Sequence, residues 1–320
     1  MEQYVFGIDL GGTNIAAGVV DENFKIVGTG KVKTGADRPA QAIADDMAQA
    51  ARLAIKDAGL EISDITSLGI GSPGAIVPTT GVVAYANNLN FKNVPLCAML
   101  KERLNIDAYI ENDANAAAFG ELLAGAGRGC KDFVAITLGT GVGGGVIIDG
   151  KIFSGSNNAG TELGHTVMCV DGIHCSCGRD GCWEAYASAT ALIRQTKDEM
   201  SRCPDSIMWE LVNSDVDKVN GITAFDAMRK GDAAGQRVVD KYLRYVAVGI
   251  TNMINIFQPE VLCIGGGISK EGDTIIKPIT DFVKRERYTK NIEKQTVIKT
   301  AALGNDAGII GAAYLDLLYR

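Results

Sequence analysis

Short, almost wholly apolar runs alternate along this chain with longer stretches whose apolar residues recur at helical spacing. The runs YVFGIDL (4–10), IAAGVV (15–20) and FKIVGTGKV (24–32) predict three opening strands, the last two parted by the polar turn DEN. An amphipathic helix follows over 39–59, opened by Pro39 and stopped by Gly59. Then come a strand at TSLGIGS (66–72), a helix at PLCAMLKERL (95–104), a strand at AYIEN (108–112) and an alanine-rich helix from Asp113. The later half predicts strands at FVAITL (133–138), GVIID (145–149) and KIFSG (151–155), then long helices over 184–202 and 233–257. A strand at EVLCIGGG (260–267) runs into a glycine turn, and a helix at DAGIIGAAYLDLLY (306–319) comes last. This alternation is that of an α/β protein.

The opening pattern recurs. When residues 5–21 (VFGIDLGGTNIAAGVVD) are laid over 133–149 (FVAITLGTGVGGGVIID), Leu10 meets Leu138, Gly11 meets Gly139, Val20 meets Ile148 and Asp21 meets Asp149. Each copy is an apolar strand, a turn of glycine and threonine, and a second apolar strand. Two similar α/β halves are therefore expected, with the two turns facing each other across a cleft. Glycine lets backbone N–H groups approach an anion and threonine adds a hydroxyl, so two such turns can hold the two ends of a triphosphate.

Composition narrows the setting. At 320 residues the chain is long enough for two domains, and a 47% hydrophobic content can fill a core. No apolar run reaches membrane-spanning length, and the opening MEQYVFGIDL has neither a basic segment nor a cleavage site, so a cytoplasmic protein is expected. A net charge of −7 argues against a broad nucleic-acid surface. In a reducing compartment its eight cysteines read as thiols or metal ligands. Cys97, Cys130, Cys203 and Cys263, scattered in apolar or helical contexts, read as buried small hydrophobes.

Two nucleotide motifs fail on inspection. GTGVGG (139–144) fits the dinucleotide fingerprint, but β-branched VIID follows where a helix must meet the pyrophosphate. The spacing of Gly145, Gly150 and Lys151 suits a P-loop, yet Ile152 stands where Ser or Thr should hold Mg²⁺.

Taken together, DLGGTN (9–14), ENDANAAAFGE (111–121), LGTGVGGG (138–145), GTELGH (160–165), CSCGRDGCWE (175–184) and GGGIS (265–269) resemble the ROK family of sugar kinases and repressors. The motifs fall in the family's order over nearly the whole chain, and the likeness is strongest to bacterial ROK glucokinases. The resemblance implies an actin-like (ribonuclease H-like) ATPase fold, with ATP and sugar meeting between two α/β domains. The first is expected over 1–115, completed by 305–320, and the larger second over 116–304.

Site residues follow from the same resemblance. From residue type alone, Asp113 in ENDAN serves equally as a general base or a helix N-cap. The family reading makes it the base, with Asn112 and, less directly, Asn88 on the sugar hydroxyls. Asp9 is expected to organise Mg²⁺ through water, as suits an oxygen-preferring ion. Gly11, Gly12, Thr13, Asn14, Thr140, Gly141, Gly266 and Gly267 are the expected phosphate or nucleotide contacts. Glu162, His165 and Glu184 are expected to face the sugar, though Glu184 also suits the first turn of the helix that follows.

Both histidines and four cysteines crowd into residues 164–184. Cys175, Cys177, Cys182 and His165 offer three thiolates and one imidazole, the donors of a closed, structural Zn²⁺ site. Cys169 and His174 are rivals; the family pattern omits the first, and the second adjoins Cys175 too closely to ligate beside it. One nitrogen of His165 on the metal and the other on a hydroxyl would fix tautomer and orientation together. The expected activity is ATP-dependent phosphorylation of a hexose, most directly glucose, by a homodimer or homotetramer. N-acetylmannosamine, fructose and allose are the alternative substrates, and a nonenzymatic sugar-sensing regulator is the alternative of another class.

Overall fold

The apolar runs become strands at nearly the expected places in the computed structural model, which describes residues 3–319. Met1, Glu2 and Arg320, at the two ends of the expected first domain, lie outside the described residues. The first strands are β1 (Tyr4–Leu10), β2 (Asn14–Val20), β3 (Ile26–Lys33) and β4 (Ile65–Ser72). Next come β5 (Ala75–Val77), β6 (Val82–Ala86), β7 (Phe91–Val94) and β8 (Ala108–Asn112). The later ones are β9 (Phe133–Leu138), β10 (Val142–Ile148), β11 (Lys151–Ile152), β12 (Val261–Gly265) and β13 (Val297–Thr300).

One sheet has the order β3-β2-β1-β4-β8 and another the order β11-β10-β9-β12-β13. Position by position, the second order repeats the first. In the first sheet β2 pairs antiparallel with both β1 and β3, and β1, β4 and β8 run parallel. The internal repeat is thus structural: β1 ends at Leu10 and β9 at Leu138, and β2 and β10 cover equivalent residues. A small sheet, β5-β6-β7, was not signalled by the sequence pattern.

The helices are α1 (Ala40–Ala58), α2 (Leu96–Leu104), α3 (Asp113–Ala124), α4 (Glu184–Ala187), α5 (Ala189–Arg202) and α6 (Ile207–Leu211). They continue with α7 (Thr223–Arg229), α8 (Ala233–Phe257), α9 (Asp273–Glu286), α10 (Asp306–Ala313) and α11 (Asp316–Tyr319). Pro39 and the left-handed Gly59 bound α1 as the sequence predicts. Five boundaries differ: β11 stops at Ile152 rather than at 155, the last expected helix breaks at Tyr314–Leu315 into α10 and α11, and three more have visible causes. The segment 184–202 breaks at Ser188, whose hydroxyl accepts the Ala191 N–H at 3.0 Å and caps α5. Phe24 takes a positive φ of 63° in the turn, so β3 opens only at Ile26. The glycines 143–145 belong to β10 rather than to the turn before it, so GTGVGG leads into a strand and not a helix.

The chain divides into two compact units. One takes the chain up to Ala135, Gly145–Thr161 and the chain from Ala301; the other takes Ile136–Gly144 and Glu162–Thr300. This differs from the expected cut after residue 115, because α3 belongs to the first unit. There it lies backbone to backbone against α10: a Cβ on Gly120 would fall 2.1 Å from the Ala307 carbonyl oxygen, and one on Gly311 1.7 Å from that of Ala116. α10 approaches the first sheet as closely, over Gly7 of β1 and Gly69 of β4. Only glycine permits such contacts. The core of this unit gathers Phe6, Ile8, Leu10, Ile43, Met47, Leu68 and Ile70. Among the described residues no helix is long and apolar enough to cross a membrane.

Candidate active site

The expected site residues fall into two groups, one on each unit. On the first unit, β1 delivers Asp9 to the mouth of the DLGGTN turn. Gly11 N–H donates to the Asn14 carbonyl at 3.0 Å and closes the turn. Thr34 pins it from β3's end, its hydroxyl donating to the Gly11 carbonyl at 2.6 Å and its N–H to the Thr13 carbonyl at 3.0 Å. Gly12 and Thr13 are left exposed, and the Asn88 amide nitrogen lies 3.5 Å from where a Cβ on Gly12 would stand. Asn88 itself sits in the short 3-10 turn after β6.

Asp113 opens α3, but it is not the cap. Asn112 fills that place, its side-chain oxygen accepting the Ala114 N–H at 2.9 Å and the Asn115 N–H at 3.3 Å. This frees Asp113 from the alternative role its residue type offered. Asp113 accepts the Ala114 N–H at 2.9 Å and its own backbone N–H, and burial raises its carboxyl against those two bonds. Asp9 is raised further, from 3.8 to about 6, first by burial and then by the facing Asp113 charge. Two neighbouring carboxylates with raised affinity for protons make this end of the first unit a candidate chemical site.

The sign of the Asp9 shift gives a stability test. A raised carboxyl weakens the fold as pH climbs from about 4 to about 6, and the full cost, roughly 2–3 kcal/mol, persists above that. Asp9→Asn is therefore expected to raise Tm at pH 8 and to leave it nearly unchanged at pH 4. Thermal unfolding at the two pH values checks this; an equal effect at both would remove the electrostatic reading.

On the second unit, the Thr140–Gly141 turn joins β9 to β10. Gly139 N–H donates to the Gly141 carbonyl at 3.0 Å, and the Thr190 hydroxyl donates to the Thr140 carbonyl at 2.7 Å. Gly266, at φ 84°, and Gly267 follow β12. The Glu184 carboxylate bridges two features that sequence alone did not connect. Its Oε2 accepts the Val142 N–H at 3.0 Å, just past this turn, while its Oε1 lies 3.7 Å from Cys175 Sγ and 3.4 Å from the Ser176 hydroxyl.

His165, Cys175, Cys177 and Cys182 converge, with their ligand atoms all within 4.8 Å of one another. His165 Nδ1 lies 3.7 Å from Cys175 Sγ, and Cys177 Sγ lies 3.6 Å from Cys182 Sγ. A tetrahedral zinc with Zn–S bonds of about 2.3 Å has ligand–ligand edges of about 3.8 Å, so the donors fit. Nδ1 is the nitrogen turned to the thiols, which leaves Nε2 of His165 for another partner. The sulfurs differ: burial and the neighbouring thiols push Cys182 up to about 12, whereas the backbone N–H of Arg179 lowers the exposed Cys177. His174 pairs instead with Asp180 at 2.9 Å on the surface, and the exposed Cys169 stands outside the set. Glu162 is exposed at the start of the 3-10 turn 163–165, its carbonyl accepting the His165 N–H at 3.0 Å. Of the scattered cysteines Cys97 and Cys263 are buried as expected, whereas Cys130 and Cys203 are only half-buried.

Sequence reasoning missed the residues that hold these groups. Gly308 of α10 presses on Asp9, whose Oδ2 lies 3.1 Å from where a Cβ would stand. Thr34 was equally silent, because nothing in a lone threonine after a strand announces a contact with a distant turn.

A doubled sheet order with a glycine–threonine turn in each copy defines the actin-like ATPase fold. Residues 5–317 match the ROK family, and the chain belongs to it. It is 36% identical over 312 residues to a glucokinase of Streptomyces coelicolor, covering 97% of this chain and 96% of that one. The crystal structure of a ROK family glucokinase from Streptomyces griseus in complex with glucose and AMPPNP matches with a TM-score of 0.81 and 36% identity, covering 98% and 99% of the two chains. A xylose repressor of Caldicellulosiruptor bescii is 31% identical over 236 residues, 73% of this chain and 58% of the repressor.

Proposed function

We propose that this protein is an ATP-dependent glucokinase that converts glucose to glucose 6-phosphate, with Asp113 as general base. The observation that carries the reading is Asp113 at the start of α3, released from capping by Asn112 and raised by burial. The full-length similarity to glucokinases supports both the donor and the sugar.

Phosphoryl transfer needs an aligned hydroxyl, a base for its proton and shielding of phosphate charge. Asp113 takes the proton of the sugar hydroxyl as its oxygen attacks the γ-phosphorus, and ADP leaves. Asn112, Asn88, Glu162, His165 and Glu184 hold the other hydroxyls. The turns at Gly11, Gly12, Thr13 and Asn14 and at Thr140 and Gly141, with Gly266 and Gly267, receive the nucleotide. Asp9 would hold Mg²⁺ through water, supplying charge neutralisation on the phosphates. Zn²⁺ on His165, Cys175, Cys177 and Cys182 would have no open position and would act by ordering the loop. The protein works in the cytoplasm as a homodimer or homotetramer.

ADP release over a panel of hexoses and N-acetylhexosamines tests the assignment. Glucose is expected to have the highest kcat/KM, since a mismatched epimer leaves buried polar groups unpaired at about 1–3 kcal/mol each. A preference for an N-acetylated sugar, fructose or allose would move the protein to another kinase of the family. Sugar binding without turnover would favour the sensing role, which the similarity to a xylose repressor keeps in view.

A further inference from the structure

Directly before Asn112 and Asp113 stands Glu111, whose side chain is only 1% exposed. Its Oε1 accepts the Asn112 N–H at 2.7 Å and the Asn115 side-chain amide at 3.1 Å. Its Oε2 accepts the hydroxyl of Tyr319, which α11 brings back to the first sheet of the same unit. Burial and the facing Glu111 both raise the Tyr319 hydroxyl, so it keeps its proton and remains a donor. A buried carboxylate held by neutral donors is a poor way to stabilise a fold, because its desolvation is barely offset. It is a good way to fix direction. Oε1 grips two residues of the 112–115 turn at once, and Asn112 in turn caps the amides beside Asp113.

We propose that Tyr319 is a positioning residue for the reaction: by holding Glu111 Oε2 it sets the carboxylate that fixes the 112–115 turn, and through it the aim of Asp113. The inference rests on the reading of Asp113 as the base. Without the hydroxyl, Oε2 faces no donor, and the carboxylate is free to rotate about its last bond. That rotation loosens the turn. Asp113 then meets the sugar hydroxyl less often in a reactive geometry, where small misplacements cost rate steeply. Nucleotide contacts lie elsewhere and are untouched.

Tyr319→Phe keeps the ring and removes only the hydroxyl. Tyr314→Phe is the matched control, since the Tyr314 hydroxyl donates to the Asp21 carbonyl, away from α3. In Tyr319→Phe, kcat on glucose is expected to fall about tenfold with KM for ATP unchanged and Tm lowered by only a few degrees, as for one lost buried hydrogen bond. Amide hydrogen exchange at Ala114 and Asn115 should quicken in the same protein and nowhere else in the unit. In Tyr314→Phe both readouts should match wild type. Unchanged exchange at Ala114 and Asn115 overturns the proposal, as does faster exchange throughout the unit with a Tm lowered beyond that. Local loosening with an unaltered kcat overturns it too, reducing the contact to a structural one. If wild type turns over no sugar, the kinase reading fails separately, and exchange still decides whether Tyr319 fixes the turn.

Discussion

Asp113→Asn should lower kcat by about 10²–10⁴ while leaving sugar affinity nearly intact, the loss typical of a missing general base. The substitution isolates proton transfer unusually well. The side-chain oxygen of the variant amide can still accept the Ala114 N–H that Asp113 accepts now, and the α3 cap belongs to Asn112, so the helix start keeps its hydrogen bonds. An amide can also hydrogen-bond the sugar hydroxyl but cannot take its proton. Steady-state kinetics with calorimetric sugar binding checks both halves. Retention of more than about a tenth of wild-type kcat would show that the base lies elsewhere.

Removing zinc, by chelation or by Cys177→Ser, should strike sugar recognition first. His165 belongs to the metal cluster, Glu162 opens the same turn, and Glu184 lies against Cys175. Loss of a metal's supporting contacts commonly costs 10–100-fold, and a glucose Kd raised by about that factor is expected here. Glu184 also holds the Val142 N–H beside the Thr140–Gly141 turn, so nucleotide affinity should fall as well, by a smaller factor. The chain should stay folded, because Cys175 and Cys182 pack in a small cluster with Ala185 and Tyr186, while the first unit's apolar core is built from other residues. Calorimetry with glucose and with AMPPNP, on zinc-loaded and zinc-free protein, separates these effects. Equal glucose affinity in the two forms would confine the metal to bulk stability.

What could be read in advance divides along physical lines. Central strands were legible because burial on both faces writes an unbroken apolar run, and the metal cluster because cysteine and histidine have few other reasons to gather within so short a stretch. β5, β6 and β7 were not, since strands of three to five residues leave too little pattern to count. Helix α9 carries Pro278 in its interior, a residue that reads as a helix stop. The site residues could be named one by one, yet their supports could not. That Asn112 rather than Asp113 caps α3 depends on which side chain turns back, and the bond from Glu184 to Val142 spans residues far apart in the chain.

The glycine-lined bed of α10 has a consequence for synthesis. Gly7, Gly69 and Gly120 receive a helix that leaves the ribosome only after the whole of Glu162–Thr300 has been made. The second unit thus has all its chain in hand while the first still lacks the piece that closes it. Until α10 arrives, Gly7, Gly69 and Gly120 lack the helix backbone that covers them, and Asp9 lacks its contact with Gly308, so the first unit can close only after the second has been made.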